Sequence, residues 1–457
     1  MLLIRDIVQS SELDDGFDLL LVVEVGLLEI RRYGDGRARF PVSLASADLG
    51  LSAEVIRSTA RAIHPWHIAD PRVYVDPTRT PLMRVAVFGG GYAGLPLVRR
   101  LERRLPATDE IVLFDDSPTH TVRHEVHRVI RRPDMAEAIT IPFSEILDGA
   151  RHRQQRVTDI DPERQVATLA GGETVTYDAG AITLGIETAF YGLDGVREHA
   201  TPLRTVDHAR QIRADAFEAF EADGRIVVGG AGLSGIQAAG ELAALAREED
   251  ADATVTLLEQ APKIAPSFPS DLRRGLREEL TDRGIEIRTG AGVTRADEAT
   301  IDLEDGSTVP YDQFVWTGGI TGTDAVPDRP SVPATLRLSD RTVALGDAAR
   351  VTDVDGRLAP ATAHTAIRQA PVAAENLAAL LAFDREGSRG FEPRLERYDY
   401  DQLGWLVSVG DGAVAKVGPQ LLRGPAAAAV KRSVGAGYLT TIGAVRDAVE
   451  LLGEELN

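Results

Sequence analysis

The feature that most constrains the fold is a layout that occurs twice along the chain. Each copy has a short apolar run, a glycine-rich turn, a helical stretch, a second apolar run and an acidic residue, at residues 83–116 and again at 225–259. The apolar runs are continuous, which is typical of parallel strands that are buried on both faces. Alternating strand and helix signals predict doubly wound α/β units, so we expect two such units in one chain.

The first turn fits the pattern G-x-G-x-x-G. The first glycine permits the tight turn, the second lets the backbone approach a pyrophosphate, and the third lets the helix pack against the strand. An acid at the end of the second strand can accept hydrogen bonds from ribose hydroxyls. An ordinary tight turn is the alternative, but strand, helix and acid in register favour dinucleotide binding. The residues concerned are Gly89, Gly91, Tyr92, Ala93, Gly94 and Asp115.

The second turn repeats the pattern with Gly230, Gly232 and Gly235, and Glu259 closes the matching second strand. A carboxylate at this position favours the free 2′-hydroxyl of NAD and disfavours the 2′-phosphate of NADP. Two complete patterns predict two dinucleotides, one a flavin and the other a nicotinamide.

Composition excludes several kinds of chemistry. The chain has no cysteine, which rules out disulfide frameworks, thiolate metal sites, cysteine nucleophiles and dithiol relays. Its net charge of −20 argues against a nucleic-acid partner. No charge-free apolar stretch reaches the roughly 18 residues of a spanning helix. The N-terminus lacks a signal-peptide pattern, so we expect a cytoplasmic protein.

Further motifs carry a family resemblance. Thr183 and Gly185 stand where the chain leaves the first unit, Gly318 where it returns, and Gly346 and Asp347 follow a later apolar run. Two glycine turns, two crossovers and a Gly-Asp pair resemble the two-dinucleotide-domain flavoproteins of the pyridine nucleotide-disulfide oxidoreductase-like superfamily. The resemblance covers residues 83–385. It implies that the first turn binds FAD and that Asp347 hydrogen-bonds the ribityl chain.

Within that superfamily, residues 177–196, 360–369 and 412–446 resemble the type II NADH dehydrogenases, which are single-subunit NADH:quinone oxidoreductases. The resemblance implies that FAD contacts the start of a helix at Thr362 and Ala363. The chain departs from the family pattern at three positions, which we predict to be catalytic: His364 and Arg368, where the family often has glutamine, and Gln237, where it often has glutamate.

His364 and Arg368 stand where the resemblance places the quinone headgroup. His364 could deliver a proton, because an unperturbed histidine titrates near pH 6.5. Arg368 could hold a quinone oxygen or a flavin carbonyl. The alternatives are a capping or packing histidine and an ion-paired surface arginine.

The predicted fold is therefore α/β, with two Rossmann-type domains, the NAD domain inserted in the FAD domain. The expected boundaries are an appended, poorly ordered or misassigned segment at 1–82, an FAD domain at 83–203 and 316–385, an NAD(H) domain at 204–315, and a C-terminal subdomain at 386–457.

The C-terminal region predicts contact with a membrane surface. Between residues 404 and 446 the only acid is Asp411, against five bases, Lys416, Arg423, Lys431, Arg432 and Arg446. Bases interleaved with apolar and aromatic residues suit docking on anionic lipid. The alternative is a packing or homodimer-forming subdomain.

The function we expect is FAD-dependent transfer of electrons from NADH to a quinone, without proton pumping, by a peripheral protein at the inner face of the cell membrane. No metal site is predicted. Two alternatives remain open: a soluble NADH-dependent reductase acting on a ferredoxin-like protein or oxygen, and a flavin-binding protein without turnover.

Overall fold

The computed structural model describes residues 83–444 apart from 223, 387–389, 403, 425, 428–437, 439–441 and 443, together with the backbone of four strands nearer the N-terminus. Those strands, Ser10–Leu13, Gly16–Val23, Gly26–Arg32 and Ala38–Arg39, pair antiparallel in chain order. Whether residues 1–82 are appended or misassigned stays a prediction.

The longer helices in the described part of the chain frame the site. They are α1 (Gly94–Arg104), α2 (Val206–Phe220), α3 (Leu233–Glu248), α4 (Ser270–Asp282) and α5 (Ala363–Arg385). Short helices cover Met135–Ala138, Phe143–Ile146 and Val196–His199, and 3₁₀ turns cover Arg123–Ile130 and Gly346–Ala348. The helical stretch predicted after each glycine-rich turn is confirmed, as α1 in the first copy and α3 in the second. Both begin at the glycine turn itself.

The first unit is a five-stranded parallel sheet. Its spatial order is Thr342–Ala344, Ala179–Ile182, Arg84–Phe88, Glu110–Asp115 and Arg151–Gln154. The central strand is buried from Val85 to Phe88, with α1 and α5 packed together beside it. Burial on both faces explains the continuous apolar runs in the sequence.

The second unit repeats this architecture within the chain of the first. Its parallel sheet has the order Thr201–Pro202, Gln313–Trp316, Arg225–Gly229, Thr254–Glu259 and Glu286–Thr289. The strand Thr201–Pro202 belongs to this sheet although it precedes residue 204. The predicted pair of doubly wound units is therefore present.

Smaller sheets complete the described part of the two units. Antiparallel meanders cover Val157–Asp161, Val166–Leu169 and Thr174–Thr176, and also Val293–Ala296, Thr300–Leu303 and Thr308–Pro310. Two-stranded pairs are Thr119–Thr121 with Thr140–Pro142, Glu187–Thr188 with Ile320–Thr321, and Ser331–Val332 with Arg350–Val351. The middle pair ties together the two crossovers between the units.

The C-terminal sheet, Gly404–Val409, Gly412–Val417 and Gln420–Arg423, packs on α3 and α4 of the second unit. Gly240 on α3 permits this approach, because an added β-carbon there would press on the backbone of Gly410. None of the described helices combines the length and hydropathy needed to span a bilayer.

Candidate functional site

The first glycine turn has the geometry that its sequence predicts. Gly89 has a φ of +106°, a left-handed value that favours glycine. A β-carbon on Gly94 would overlap the carbonyl oxygen of Gly89 and lie 2.7 Å from Oγ1 of Thr183. The hydroxyl of Thr183 donates to the carbonyls of Phe88 and Gly89, 2.8 Å away in each case. The crossover residue therefore braces the turn that the glycines permit.

The second turn has the same geometry. Gly230 has a φ of +97°, and a β-carbon on Gly235 would overlap its carbonyl oxygen. Thr317 donates its hydroxyl to the carbonyls of Gly229 and Gly230, each at 2.9 Å. Thr317 precedes Gly318 in the return crossover, and the sequence alone assigns it no role, although its place in the repeat, opposite Thr183, was a usable signal.

The acid at the end of each second strand holds the turn of its own unit. Asp115 accepts hydrogen bonds from the backbone N–H groups of Gly90, at 2.6 Å, and Ser117, at 2.9 Å. Glu259 accepts from Ala231, at 2.9 Å, and Ala261, at 2.8 Å. Burial raises the pKa of Asp115, and these N–H donors oppose the rise. Each carboxylate is thus fixed beside the position predicted for a ribose.

One cavity of about 670 Å³ lies between the two units and the C-terminal sheet. The predicted residues that line it are Gly89, Gly91, Tyr92, Ala93, Asp115, Thr183, Gly185, Gln237, Asp347, Thr362, Ala363 and His364. The predicted residues outside its wall are Gly94, Gly230, Gly232, Gly235, Glu259, Gly318, Gly346 and Arg368. The second turn reaches the cavity only through the start of α3.

The environment of Asp347 indicates whether the cavity can bind a flavin. Its Oδ1 atom is buried and has no hydrogen-bond partner among the described residues. Burial raises its pKa, while the guanidinium groups of Arg329, Arg123 and Arg204 act to lower it. A buried acceptor with a free position in the cavity wall suits a ribityl hydroxyl. The residues therefore fit FAD.

The start of α5 forms the neighbouring wall. Thr362 caps the helix by accepting a hydrogen bond from the N–H of Thr365 at 3.2 Å. About two turns after Thr362, Gln369 accepts a hydrogen bond from the N–H of Gly346 at 2.7 Å and so fixes the residue before Asp347. The positive end of the helix dipole lies at the cavity, where it can stabilise negative charge.

His364 and Arg368 take different positions on α5. His364 lines the cavity, and its Nε2 lies 3.4 Å from the carbonyl oxygen of Asp401. Burial lowers its pKa, Arg368 lowers it further, and Asp401 opposes the shift. Arg368 is half-buried and does not line the cavity. The structure therefore places Arg368 where its charge acts on His364.

Gln237 belongs to a buried hydrogen-bond chain that the sequence does not reveal. Its Nε2 donates to Oγ of Ser408 at 3.2 Å, and Ser408 lies 2.8 Å from Nε2 of His127. The three side chains line the cavity and come from the second unit, the C-terminal sheet and the first unit. They fix the three parts of the chain around one site.

Comparison with known proteins supports this architecture. A family model described as pyridine nucleotide-disulphide oxidoreductase matches residues 83–370. Demethylphylloquinone reductase NdbB of Synechocystis sp. is 29% identical over 380 residues, which cover 77% of this chain and 91% of that protein. The type II NADH:quinone oxidoreductase of Staphylococcus aureus is 26% identical over 399 residues, which cover 79% of this chain and 96% of that protein.

Among solved structures, NDH2 from Plasmodium falciparum in complex with NADH matches with a TM-score of 0.68 at 13% identity, covering 81% of this chain and 97% of that chain. The predicted two-domain α/β fold and the resemblance to type II NADH dehydrogenases are confirmed.

Proposed function

The chain belongs to the pyridine nucleotide-disulphide oxidoreductase family, and on that premise we propose that it is an FAD-dependent NADH:quinone oxidoreductase. The observation that carries the proposal is the single cavity onto which the first glycine turn, Asp347 and the start of α3 all open. The relatives at 29% and 26% identity are named for the reduction of quinones. The absence of cysteine excludes the disulfide chemistry in the family's name.

The reaction sets the demands on the protein. NADH, one proton and a quinone give NAD⁺ and a quinol, so one proton must be taken up per turnover. When bound, FAD would supply the hydride acceptor and the two-electron carrier for this reaction. The residues of this chain bind both substrates at the cavity and supply the proton. The N-terminus of α5 stabilises negative charge that develops beside it.

The direct test is an anaerobic titration of the purified protein with NADH, followed by a soluble menaquinone analogue. We expect NADH to bleach the visible absorption band of bound flavin and the quinone to restore it rapidly. Bleaching without return would shift the function to a soluble reductase for a protein acceptor or oxygen. A protein without a flavin band would contradict the assignment of FAD.

NADH is expected to be strongly preferred over NADPH, because the buried carboxylate of Glu259 repels a 2′-phosphate. Glu259→Gln removes this charge, so we expect the ratio of kcat/KM for NADH over NADPH to fall by about 10-fold to 100-fold. The control is Glu298→Gln, which changes an exposed glutamate of the same unit. Equal ratios in all three proteins would show that Glu259 does not select the coenzyme.

We propose that His364 delivers a proton to the quinone and that the charge of Arg368 sets the pKa of His364. Because Arg368 lowers the pKa of His364, Arg368→Gln should raise it. The protonated ring then persists to higher pH. The pH at which kcat declines should therefore be higher in the variant, by about one unit or less.

The pH profile of quinone reduction measures this shift. Arg277→Gln, an exposed arginine on α4, is the control. The rate of flavin reduction by NADH should keep its pH dependence, since that step needs no proton. An unchanged profile in both Arg368→Gln and His364→Ala would remove both residues from the proton path.

We also propose peripheral contact with the inner face of the cell membrane, through the C-terminal region. Two of its five bases are engaged within the protein: Lys416 pairs with Asp271, and Arg423 pairs with Glu278, Glu279 and Asp282 on α4. Lys431, Arg432 and Arg446 lie outside the residues whose side chains are described. We propose that these three bases contact the lipid headgroups.

Cosedimentation with vesicles that contain anionic lipid tests this contact. Lys431→Glu/Arg432→Glu should weaken binding at least about 10-fold, whereas Lys263→Glu, an exposed site in the second unit, should not. Equal binding by all proteins would contradict the proposal and favour the packing or homodimer alternative.

A further inference from the structure

The two glycine turns differ in how their second residue is held. In both turns the N–H of that residue, Gly90 or Ala231, is bound by the strand-end acid of the same unit. The carbonyl of Ala231 accepts a hydrogen bond from the backbone N–H of Ala265 at 2.8 Å. The carbonyl of Gly90 instead accepts from a side chain, Nδ1 of His120, at 2.9 Å. The carbonyl in the first turn is therefore held by a histidine side chain, whereas the corresponding carbonyl in the second turn is held by a backbone N–H group.

The partner of His120 comes from the far end of the chain. A carbonyl can only accept, so Nδ1 of His120 carries the hydrogen. Burial lowers the pKa of His120 to about 4, which keeps the ring neutral and leaves Nε2 as an acceptor. The hydroxyl of Tyr438 donates to this atom at 2.8 Å, from 318 residues further along the chain.

Tyr438 also packs on the turn directly. Its ring meets the ring of Tyr92 edge to face, with centroids 4.8 Å apart and an interplanar angle of 67°. Tyr92 belongs to the glycine pattern, and its hydroxyl is hydrogen-bonded to Nδ1 of His124. Both tyrosines line the cavity, and Tyr438 is only 6% exposed. One side chain thus supports both the backbone and the aromatic residue of the first turn.

We propose that Tyr438 is a positioning residue for the flavin: through His120 and Tyr92 it holds the first glycine turn in the shape that binds FAD. The inference rests on the proposed function, which places FAD at this turn. The second turn is held by the hydrogen bond from the N–H of Ala265 to the carbonyl of Ala231, so NADH binding does not depend on Tyr438. Flavin affinity thereby becomes linked to a residue outside both dinucleotide-binding units.

The test compares full-length Tyr438→Ala and Tyr438→Phe with the wild-type protein. Tyr438→Phe removes only the hydroxyl and leaves Nε2 of His120 without its donor, so the FAD Kd should rise about 10-fold. Tyr438→Ala also removes the contact with Tyr92, and its FAD Kd should rise further. The readouts are the flavin content after purification, the Kd for FAD rebinding to flavin-depleted protein, and the Kd for NADH on that same protein.

Tyr311→Phe is the matched control, because it removes a buried phenol that donates to the carbonyl of Asp297 in the second unit. It should leave the FAD Kd unchanged. A rise in the FAD Kd with a constant NADH Kd supports the inference, since general destabilisation would weaken both. Unchanged FAD affinity in both Tyr438 variants, or equal loss of both affinities, overturns it. A wild-type protein that binds no flavin at all would instead overturn the proposed function.

Discussion

Replacing Gly94 with alanine is expected to yield protein that purifies almost without flavin. The added β-carbon would overlap the carbonyl oxygen of Gly89 and lie 2.7 Å from Oγ1 of Thr183. Neither atom can move away, because the oxygen of Gly89 belongs to the backbone and Oγ1 of Thr183 is held by two hydrogen bonds. Helix α1 must therefore move away from the strand. Its N-terminus then leaves the position at which it would bind the pyrophosphate.

We expect the FAD Kd of Gly94→Ala to rise about 100-fold, which corresponds to overpacking of about 3 kcal/mol. Gly235→Ala makes the same change in the second turn, where the β-carbon would lie 2.7 Å from Oγ1 of Thr317. It should raise the KM for NADH and leave the flavin content intact. Gly149→Ala, with open space around the added carbon, controls for the substitution itself. A flavin-replete Gly94→Ala protein would show that the turn tolerates a side chain.

The sequence predicts the two units well because their signals are local. Each turn, with its flanking strands and helix, lies within about 35 residues, and the steric demand on Gly94 and Gly235 is met inside that stretch. The repeat also shows which positions of the two units correspond, because each unit has an acid at the end of its second strand and a threonine at its crossover. The structure adds that Thr183 and Thr317 brace the turns with their hydroxyls.

The rest of the site could not be predicted, because it depends on pairs that are far apart in the chain. Ser408 follows Gln237 by 171 residues, and no periodic pattern marks either of them. The same holds for His120 and Tyr438. Charge counting along the C-terminal region also fails to reveal that Lys416 and Arg423 are paired with acids on α4. Such contacts are set by tertiary packing, which a local pattern does not encode.

The other large effect is expected at Asp347, where one carboxylate has two roles. Its buried Oδ1 offers an acceptor in the cavity wall, and its charge offsets the guanidinium groups of Arg329, Arg123 and Arg204. Burial and Arg123 lower the pKa of Arg204 to about 10, and the carboxylates of Glu187 and Asp347 oppose that shift. Removing the Asp347 carboxylate takes away one of the two acids, the other being Glu187, that offset the charge of Arg204.

Two substitutions separate these roles by measurement of the FAD Kd. Asp347→Asn keeps an acceptor oxygen but removes the charge, and we expect the FAD Kd to rise about 10-fold. Asp347→Leu removes both the acceptor and the charge, so the rise in the FAD Kd should reach about 100-fold, the upper range for a lost hydrogen bond to a charged group. Asp340→Asn, an exposed aspartate paired with Arg337, is the control and should bind FAD normally. If Asp347→Asn behaves like wild type while Asp347→Leu loses flavin, the hydrogen bond alone matters. Normal FAD binding by both variants would contradict the placement of the ribityl chain at this residue.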